Sequence, residues 1–303
     1  MPNMNILITG AQGQDGIILS EILIKKGFNV MGVIRSKKFK KKIDKVKYYI
    51  LNLFNSVEIE RFLSKSKPDY IVHLGSENPS FNQKNKKKKF ESKNIKSTLN
   101  LINSINNLNL NSIFIFANSS QIFKKTKKKV NEKFQITKKD PYTSFRIDII
   151  KYMKLLKKKN KFEYINLILF NHDSKFRSEK FLLPRIVKSI KSKDKNFINK
   201  IYKQNIYADF SHAEDICNAI FLLIKKKIIV DNIILSSSKL TSVNKLIKYL
   251  LNKNKLKNII DNNINIKKKQ INLIGDNRFA KKILGWKIKK DIYKALNDMN
   301  KQF

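Results

Sequence analysis

Three glycines near the start of the chain have a spacing that suits phosphate binding. Gly10, Gly13 and Gly16 lie between an apolar run over residues 5–9 and a stretch with helical periodicity over residues 17–26. In such a turn the first glycine allows a tight bend, the second lets a pyrophosphate approach the backbone, and the third lets helix and strand pack closely. The chain has only eight glycines. The spacing therefore predicts a dinucleotide-binding turn; the alternative is a structural turn without a ligand.

A basic residue follows the second predicted strand. Arg35 comes directly after the apolar run over residues 30–34. An acidic residue at this place would bind the ribose hydroxyls of NAD, whereas a basic residue accommodates the 2′-phosphate of NADP. Arg is scarce in this chain, so the general excess of lysine is a poor explanation for Arg35. The sequence predicts NADP as the cofactor.

Alternating strands and helices must position these residues. The predicted strands cover residues 5–9, 30–34, 48–53, 70–74, 112–117 and 164–170. The predicted helices cover residues 17–26, 57–65, 94–106 and 140–158. This order predicts an α/β fold, with a Rossmann-type doubly wound parallel sheet covered on both faces. Residues 172–303 show shorter elements without a clear sheet period.

The composition bounds the class of protein and its partners. The net charge is +42, from 65 basic and 23 acidic residues, which alone would suggest a polyanion partner. However, the basic residues are almost all lysines spread over the chain, and Lys, Asn and Ile together are what an AT-rich coding sequence favours. We interpret the charge mainly as coding bias that favours anionic substrates, and expect no nucleic-acid partner.

The apolar pattern and the cysteine content indicate a cytoplasmic protein. No run of about 18 apolar residues is present, so we expect no membrane span. The first ten residues lack the pattern of a signal peptide. Cys217 is the only cysteine, so no internal disulfide can form. The three histidines show no metal-ligand spacing, and we expect no metal.

Four separate segments resemble the extended short-chain dehydrogenase/reductases, also called the NAD-dependent epimerase/dehydratase family. Within that family they are most similar to the GDP-mannose 4,6-dehydratases. Residues 7–36 carry the Gly-Gln-Asp-Gly signature and an Arg-Ser ending. Residues 169–174, Leu-Phe-Asn-His-Asp-Ser, are close to the Leu-Phe-Asn-His-Glu-Ser of the dehydratases, and residues 209–215 and 275–287 resemble later family motifs.

The resemblance implies a domain organisation, a substrate and an assembly. An NADP-binding Rossmann domain would comprise residues 1–171 plus 205–235. A smaller C-terminal α/β domain of residues 172–204 plus 236–303 would bind the sugar nucleotide. GDP-mannose would be the substrate, and the chain would form a homodimer or a homotetramer.

The resemblance also implies the catalytic residues. In the family a tyrosine phenolate takes the proton from the sugar 4-hydroxyl, and a nearby cation must lower the phenol pKa from near 10. Tyr142 matches that tyrosine. Arg146, one helical turn later, replaces the family's lysine, and its planar fork does not simply replace an ammonium. Ser119 matches a catalytic threonine that hydrogen-bonds the 4-oxygen, and Gln121 falls on the catalytic glutamate.

Gln121 leaves alternatives open. In the dehydratases that glutamate removes the C-5 proton so that water can leave C-6, and a neutral amide cannot do this. An NADP-dependent 4-reductase or 4-epimerase needs no C-5 base, so Gln121 favours that alternative. Arg146 and replaced family glycines favour a catalytically impaired binding subunit. A third hypothesis keeps the dehydratase and makes Glu77 the replacement base.

Binding residues follow from the same resemblance. The expected cofactor contacts are Gly10, Gln12, Gly13, Gln14, Asp15, Gly16, Arg35, Asn52, Leu53, Leu74, Gly75, Ser76, Tyr142 and Arg146. The expected substrate contacts are Ser119, Asn171 and Arg185. Arg185 is assigned to the diphosphate, since arginine suits bidentate phosphate contact. His172 and His212 are interpreted as structural hydrogen-bonding residues.

Overall fold

The fold is built from thirteen strands and ten helices in the part of the chain that the structure describes. The structure is a computed structural model, and it describes residues 4–76, 87–159, 162–256 and 258–302. The strands are β1 (Asn5–Thr9), β2 (Asn29–Ile34), β3 (Lys47–Ile50), β4 (Tyr70–His73), β5 (Ile113–Ser119), β6 (Lys129–Val130), β7 (Tyr164–Leu169), β8 (Asn171–Asp173), β9 (Ile206–His212), β10 (Asn232–Leu235), β11 (Leu240–Ser242), β12 (Gln270–Ile271) and β13 (Ile274–Gly275).

The helices alternate with these strands through most of the chain. They are α1 (Gln14–Lys25), α2 (Ser56–Ser66), α3 (Lys87–Asn107), α4 (Pro141–Lys159), α5 (Leu182–Lys191), α6 (Lys195–Lys203), α7 (Ala213–Lys225), α8 (Val243–Lys253), α9 (Arg278–Leu284) and α10 (Ile292–Gln302). A single 3-10 turn, Ser120–Ile122, follows β5. Among these described helices, none combines the length and apolar character that a membrane span requires.

Seven strands form one parallel sheet in the order β10-β7-β5-β4-β1-β2-β3. The chain runs outward from β1 in one direction to β3 and then crosses back to β4 on the other side. Such a reversal leaves a crevice at the carboxyl ends of the two central strands, where doubly wound folds bind ligands. The predicted α/β fold class with a doubly wound sheet is confirmed.

Helices cover both faces of the sheet. Ile6 and Ile8 of β1 are fully buried in the cluster that includes the apolar face of α1 and α7. Leu7 points to the opposite face and is buried in the cluster that includes α2, α3 and α4. Since successive side chains of a strand alternate between faces, an uninterrupted apolar strand is what a sheet covered twice requires.

A smaller sheet lies in the second half of the chain. Strand β9 pairs with β8, β11 and β12. Helices α5, α6, α8 and α10 contribute to a separate apolar cluster, with Ile186, Ile198, Leu246 and Leu296 at its centre. The boundaries between the two expected domains stay a prediction.

The observed elements differ from the predicted ones mainly at their ends. Strand β3 ends at Ile50, three residues before the predicted end, and helix α3 begins at Lys87, seven residues before the predicted start. Strand β10 completes the large sheet beside β7, although its four residues gave no clear signal within the irregular second half.

Candidate active site

The glycine turn has the backbone that its sequence predicts. Gly10 adopts a φ of +71°, and a Cβ there would lie 2.9 Å from the Gly75 Cα. A Cβ at Gly16 would lie 2.6 Å from the Ala11 Cα. A side chain at either position would collide with backbone. Glycine is therefore what lets the carboxyl ends of β1 and β4 meet the start of α1.

Helix α1 begins with backbone donors that a phosphate could use. Gly13 is the N-cap residue, and no side-chain hydrogen bond caps this helix end. The first N–H groups of a helix lack partners within the helix and lie at its positive end, so they bind anions readily. This end opens onto a cleft of about 510 Å³, called here the phosphate cleft.

Basic residues surround the phosphate cleft. Arg35, Lys40, Arg177 and Lys180 line it, and Asp15 is the one acidic residue among its described lining residues. The Lys40 ammonium donates to the Phe176 carbonyl at 3.1 Å, which ties residues 174–181 over the glycine turn. Burial lowers the pKa of Lys40, and the positive charge of Arg177 adds to this effect, against the opposing charge of Glu179. The donors and charges fit the phosphates of a dinucleotide.

Asp15 is compensated by a histidine. The His172 Nε2 lies 3.0 Å from Asp15 Oδ2, and its Nδ1 lies 2.7 Å from the Phe170 carbonyl oxygen. Both ring nitrogens face acceptors, which is the pattern of an imidazolium. Burial opposes charge on both groups, but their mutual attraction and hydrogen bond prevail, so the pKa of His172 is raised and that of Asp15 lowered. His172 therefore offsets the one carboxylate at the phosphate cleft.

A buried histidine fixes the end of β4. The Thr98 hydroxyl donates to the Asn94 carbonyl at 2.7 Å, so it must accept from His73 Nε2 at 3.0 Å. His73 Nδ1 then accepts from the Thr9 hydroxyl at 2.7 Å, and Thr9 Oγ1 accepts from the Gly75 N–H at 3.1 Å.

This chain of hydrogen bonds requires a neutral His73. Burial lowers the pKa of His73 to about 3, and the charge of Arg146 contributes to the shift. The neutral ring can therefore hold Gly75 against the glycine turn across the physiological pH range.

A second cleft adjoins the first and contains the residues expected to react. It measures about 570 Å³ and is called here the reactive cleft. Asp15, Leu74 and Ser76 line both clefts. The further predicted residues that line the reactive cleft are Ser119, Gln121, Tyr142, Arg146 and Asn171. The structure thus brings together residues that are more than 150 positions apart in sequence, as Asp15 and Asn171 show.

Ser119 ends β5 at the floor of the reactive cleft. Its N–H donates to the Asn118 Oδ1 at 2.7 Å, and its hydroxyl accepts from the Gln121 N–H at 3.2 Å. Asn118 belongs to a buried amide ladder, in which its Nδ2 donates to Asn166 at 2.9 Å and Asn166 donates to Asn232 at 2.8 Å. This ladder crosses β5, β7 and β10 and holds the end of β5 in place.

Tyr142 and Arg146 form a stacked pair on the first turns of α4. The guanidinium carbon lies 4.4 Å from the centre of the tyrosine ring. Arg146 is 3% exposed, and its Nη1 donates to the Ala117 carbonyl at 2.8 Å. Arg146 therefore places its charge over the face of the Tyr142 ring, and its catalytic role stays a prediction.

Four predicted binding residues do not line either cleft: Asn52, Leu53, Gly75 and Arg185. Asn52 and Leu53 lie in the turn after β3, where the Asn52 Oδ1 accepts from the Phe54 N–H at 3.0 Å. Arg185 lies on α5, where its guanidinium stacks 4.4 Å from the Phe197 ring centre because the helix turns it toward α6. Their assignments stay predictions. Glu77 lies outside the described residues.

The structure adds residues that sequence reasoning did not assign to the site. Arg177, Lys180 and Phe181 line both clefts. The Arg177 guanidinium stacks 3.7 Å from the Phe181 ring centre, which orders the segment that separates the clefts. Asp140 lines the reactive cleft directly before α4. The sequence signal for Asp140 is its position two residues before Tyr142, although this position alone does not indicate a role in the site.

Comparisons with known proteins agree with this arrangement. The sequence model described as GDP-mannose 4,6 dehydratase matches residues 7–299. GDP-mannose 4,6 dehydratase 1 of Arabidopsis thaliana is 26% identical over 246 residues, covering 75% of this chain and 68% of the relative. GDP-mannose 4,6-dehydratase of Vibrio cholerae is 28% identical over 235 residues, covering 69% and 61% respectively. The chain thus spans roughly two-thirds of the length of these relatives.

Solved structures share the fold at lower identity. A UDP-glucose 4-epimerase from Thermotoga maritima, solved with UDP-glucose, superposes with a TM-score of 0.80 at 18% identity, covering 98% of each chain. The protein RMD from Pseudomonas aeruginosa, solved with NADPH, gives a TM-score of 0.76 at 14% identity, again covering 98% of each chain. Because the family model spans nearly all of its length, the chain belongs to the GDP-mannose 4,6 dehydratase family, a family of nucleotide-sugar-modifying enzymes of the dehydratase/epimerase type.

Proposed function

We propose that this protein is an NADP-dependent nucleotide-sugar 4,6-dehydratase that acts on GDP-mannose. The observation that carries the proposal is the junction of the two clefts. A cleft suited to phosphates joins, through Asp15, Leu74 and Ser76, a cleft that holds Ser119, Tyr142 and Arg146. Family membership supplies the substrate class, and the named relatives supply GDP-mannose as its member.

The cofactor would be held by the phosphate cleft. The glycine turn and the start of α1 would bind the pyrophosphate, and Arg35 would bind the 2′-phosphate that distinguishes NADP from NAD. When bound, the nicotinamide supplies a group that accepts and returns a hydride. A structural neighbour solved with NADPH and another solved with NAD and UDP support a nicotinamide cofactor.

The chain's own residues would orient the sugar and move its protons. The Tyr142 phenolate would take the proton of the 4-hydroxyl, with the Arg146 charge stacked on its ring. The Ser119 hydroxyl would donate to the 4-oxygen. The backbone that carries this hydroxyl is fixed by the Ser119 N–H, which donates to the Asn118 Oδ1 at 2.7 Å. Asn171, whose Nδ2 donates to the Asp209 carbonyl at 3.1 Å, would contact the sugar nucleotide from β8.

A second function has one specific observation in its favour. Gln121 lines the reactive cleft at the place of the family's glutamate, and its amide is not a useful base. A sugar-nucleotide 4-reductase or 4-epimerase would use Tyr142 and Ser119 in the same way and would need no group at C-5. Both functions share the fold, the cofactor and the substrate class.

Mass spectrometry of nucleotide sugars distinguishes these functions. The purified protein is incubated with NADP and one nucleotide sugar at a time: GDP-mannose, UDP-glucose or dTDP-glucose. The dehydratase proposal predicts a product lighter by one water from GDP-mannose. If no hexose loses water but 4-keto sugar nucleotides are reduced with NADPH, the reductase is correct. An isomer of unchanged mass would indicate the epimerase. The cytoplasmic location and the dimeric or tetrameric state stay predictions.

A further inference from the structure

Loss of water across C-5 and C-6 requires a base that Gln121 does not provide. The proton at C-5 of a 4-keto sugar is acidic because the neighbouring carbonyl stabilises the negative charge that its removal creates. Even so, a side chain basic enough to accept a proton must take it. Gln121 carries an amide. A dehydratase of this sequence therefore needs another base within the same cleft.

The described lining of the reactive cleft contains two carboxylates. They belong to Asp15 and Asp140. Asp15 accepts from His172 at 3.0 Å and lies at the glycine turn, beside the expected pyrophosphate. Asp140 lies two residues before Tyr142, and it lines the reactive cleft but not the phosphate cleft. Asp140 is therefore the better placed of the two.

Contacts of the preceding residue connect the segment of Asp140 with the segment of Gln121. The Lys139 ammonium donates to the Gln121 carbonyl at 3.1 Å and also to the Phe123 carbonyl. These bonds join the segment before α4 to the 3-10 turn that follows β5. Gln121 and Asp140 thus lie on two hydrogen-bonded segments that both line the reactive cleft.

The Asp140 carboxyl group has a fixed orientation and stays partly exposed. Its Oδ1 accepts from the Thr143 N–H at 2.9 Å and from the Thr143 hydroxyl at 3.0 Å. These contacts define Asp140 as a cap of α4. A cap restrains the carboxyl group, and a restrained group can be presented to a bound sugar with little loss of entropy.

We propose that Asp140 is the base that removes the C-5 proton, an inference that rests on the proposed function. The Asp140 carboxylate takes the proton from C-5 of the 4-keto sugar. The electron pair of that C–H bond forms a double bond between C-5 and C-6 as the bond between C-6 and its hydroxyl oxygen breaks. The proton then passes from Asp140 to the departing hydroxyl. One water is released, and the carboxylate is restored.

Asp140→Asn tests this role with little change to the fold. Asn is as good a helix cap as Asp but cannot act as a base. We expect the rate of water loss from GDP-mannose to fall by about 100-fold or more. Oxidation at C-4 should persist, seen as nicotinamide absorbance that rises in a single turnover and no longer decays. A purely structural role would lower both signals together.

A matched variant and a rescue variant complete the test. Asp148 is an exposed aspartate of α4 that pairs with Lys138 at 2.6 Å, and Asp148→Asn should leave both signals unchanged. In the Asp140→Asn protein, a second change, Gln121→Glu, should restore water loss by placing a carboxylate across the joined segments. If thermal denaturation shows that Asp140→Asn does not fold like the wild-type protein, the test uses Asp140→Ser instead, because serine keeps a capping oxygen.

The possible results distinguish failure of the Asp140 assignment from failure of the proposed dehydratase function. Full water loss in the Asp140 variants, with the wild-type protein active, overturns the role of Asp140. Loss of activity in Glu77→Gln alone, with the Asp140 variants active, assigns the base to Glu77 instead. If the wild-type protein releases no water from any nucleotide sugar, the proposed function fails, and the role of Asp140 fails with it.

Discussion

The phosphate cleft and the reactive cleft differ in how closely they keep the family pattern. Gly10, Gly13 and Gly16 are all present around the phosphate cleft, and backbone contacts explain why at two of them. In the reactive cleft Gln121 and Arg146 lie where the resemblance leads us to expect a glutamate and a lysine. The two clefts share lining residues and one sheet edge, so the difference lies in side-chain chemistry and not in the scaffold.

This difference indicates which constraints are steric and which are chemical. A Cβ at Gly16 would lie 2.6 Å from backbone, so no other residue fits without moving β1 or α1. Arg146 keeps the positive charge of the lysine expected at its position, and its Nη1 donates to the Ala117 carbonyl. The glycine turn is thus constrained by its backbone contacts, whereas the side chains of the reactive cleft are free of that constraint.

The largest expected effect separates the two clefts directly. Tyr142→Phe removes the hydroxyl that would take the 4-hydroxyl proton, and we expect the turnover rate to fall by about 100- to 10,000-fold. NADP affinity should change little, because the phosphate cleft is untouched. The measurement is the steady-state rate on GDP-mannose, with the dissociation constant of NADP determined by titration.

Tyr152→Phe is the matched control for this prediction. Tyr152 lies on the same helix, and its hydroxyl donates to the Asn103 side chain at 2.7 Å, outside the reactive cleft. Its loss should leave the rate unchanged. Equal rates for the Tyr142 variant and the wild-type protein would show that the reactive cleft has been assigned to the wrong residues.

A smaller effect is expected in the phosphate cleft. Arg35→Ala should weaken NADP binding by about 10- to 100-fold, the value of one or two hydrogen bonds to a charged phosphate. Binding of NAD, which lacks the 2′-phosphate, should be unaffected. Arg61→Ala, at an exposed arginine of α2, serves as the control. Equal losses for NADP and NAD would contradict the assignment of Arg35 to the 2′-phosphate.

The smallest effect on catalysis is expected at the buried histidine of β4, which lines neither cleft and acts on stability. Folding lowers the pKa of His73 from 6.5 to about 3. Between these values the unfolded chain binds a proton that the folded chain does not. The free energy of unfolding should therefore fall as the pH decreases from 6.5 toward 3, by about 1.4 kcal/mol per pH unit from this group.

Urea denaturation measures that slope. His73→Asn should be less stable near neutral pH, and its free energy of unfolding should fall less steeply with acid by about the same 1.4 kcal/mol per pH unit. Identical slopes for the variant and the wild-type protein would mean that folding does not lower the pKa of His73. The hydrogen-bond chain from Thr98 to Gly75 would then need reassignment.

The sequence predicted the features that depend on local pattern. The glycine turn, the alternation of strands and helices, and the Tyr142–Arg146 pair follow from spacing within a few residues. Apolar runs such as residues 5–9 predict buried strands because both faces of the sheet are covered. The structure brings Ser119, Gln121, Tyr142, Arg146 and Asn171 to one cleft, as the family resemblance implied.

Features that depend on distant contacts could not be predicted in this way. His172 was interpreted as a structural residue without a named partner, and its partner Asp15 lies 157 positions away. Strand β10 has four residues, too few for a pattern, and it pairs with β7 along its whole length, with an added hydrogen bond between the Asn166 and Asn232 side chains. Asp140 carried no motif of its own; the shared cleft and the hydrogen bonds of Lys139 connect it with Gln121.

A single-turnover experiment with GDP-mannose shows whether the protein is an active dehydratase. The unmodified protein, in excess over GDP-mannose and with NADP present, is followed in one sample by nicotinamide absorbance and by mass spectrometry of the sugar. If the protein is a dehydratase, we expect a transient rise in nicotinamide absorbance, followed by a product that has lost one water. Cofactor binding without either signal would contradict it and leave a binding protein with an inactive reactive cleft.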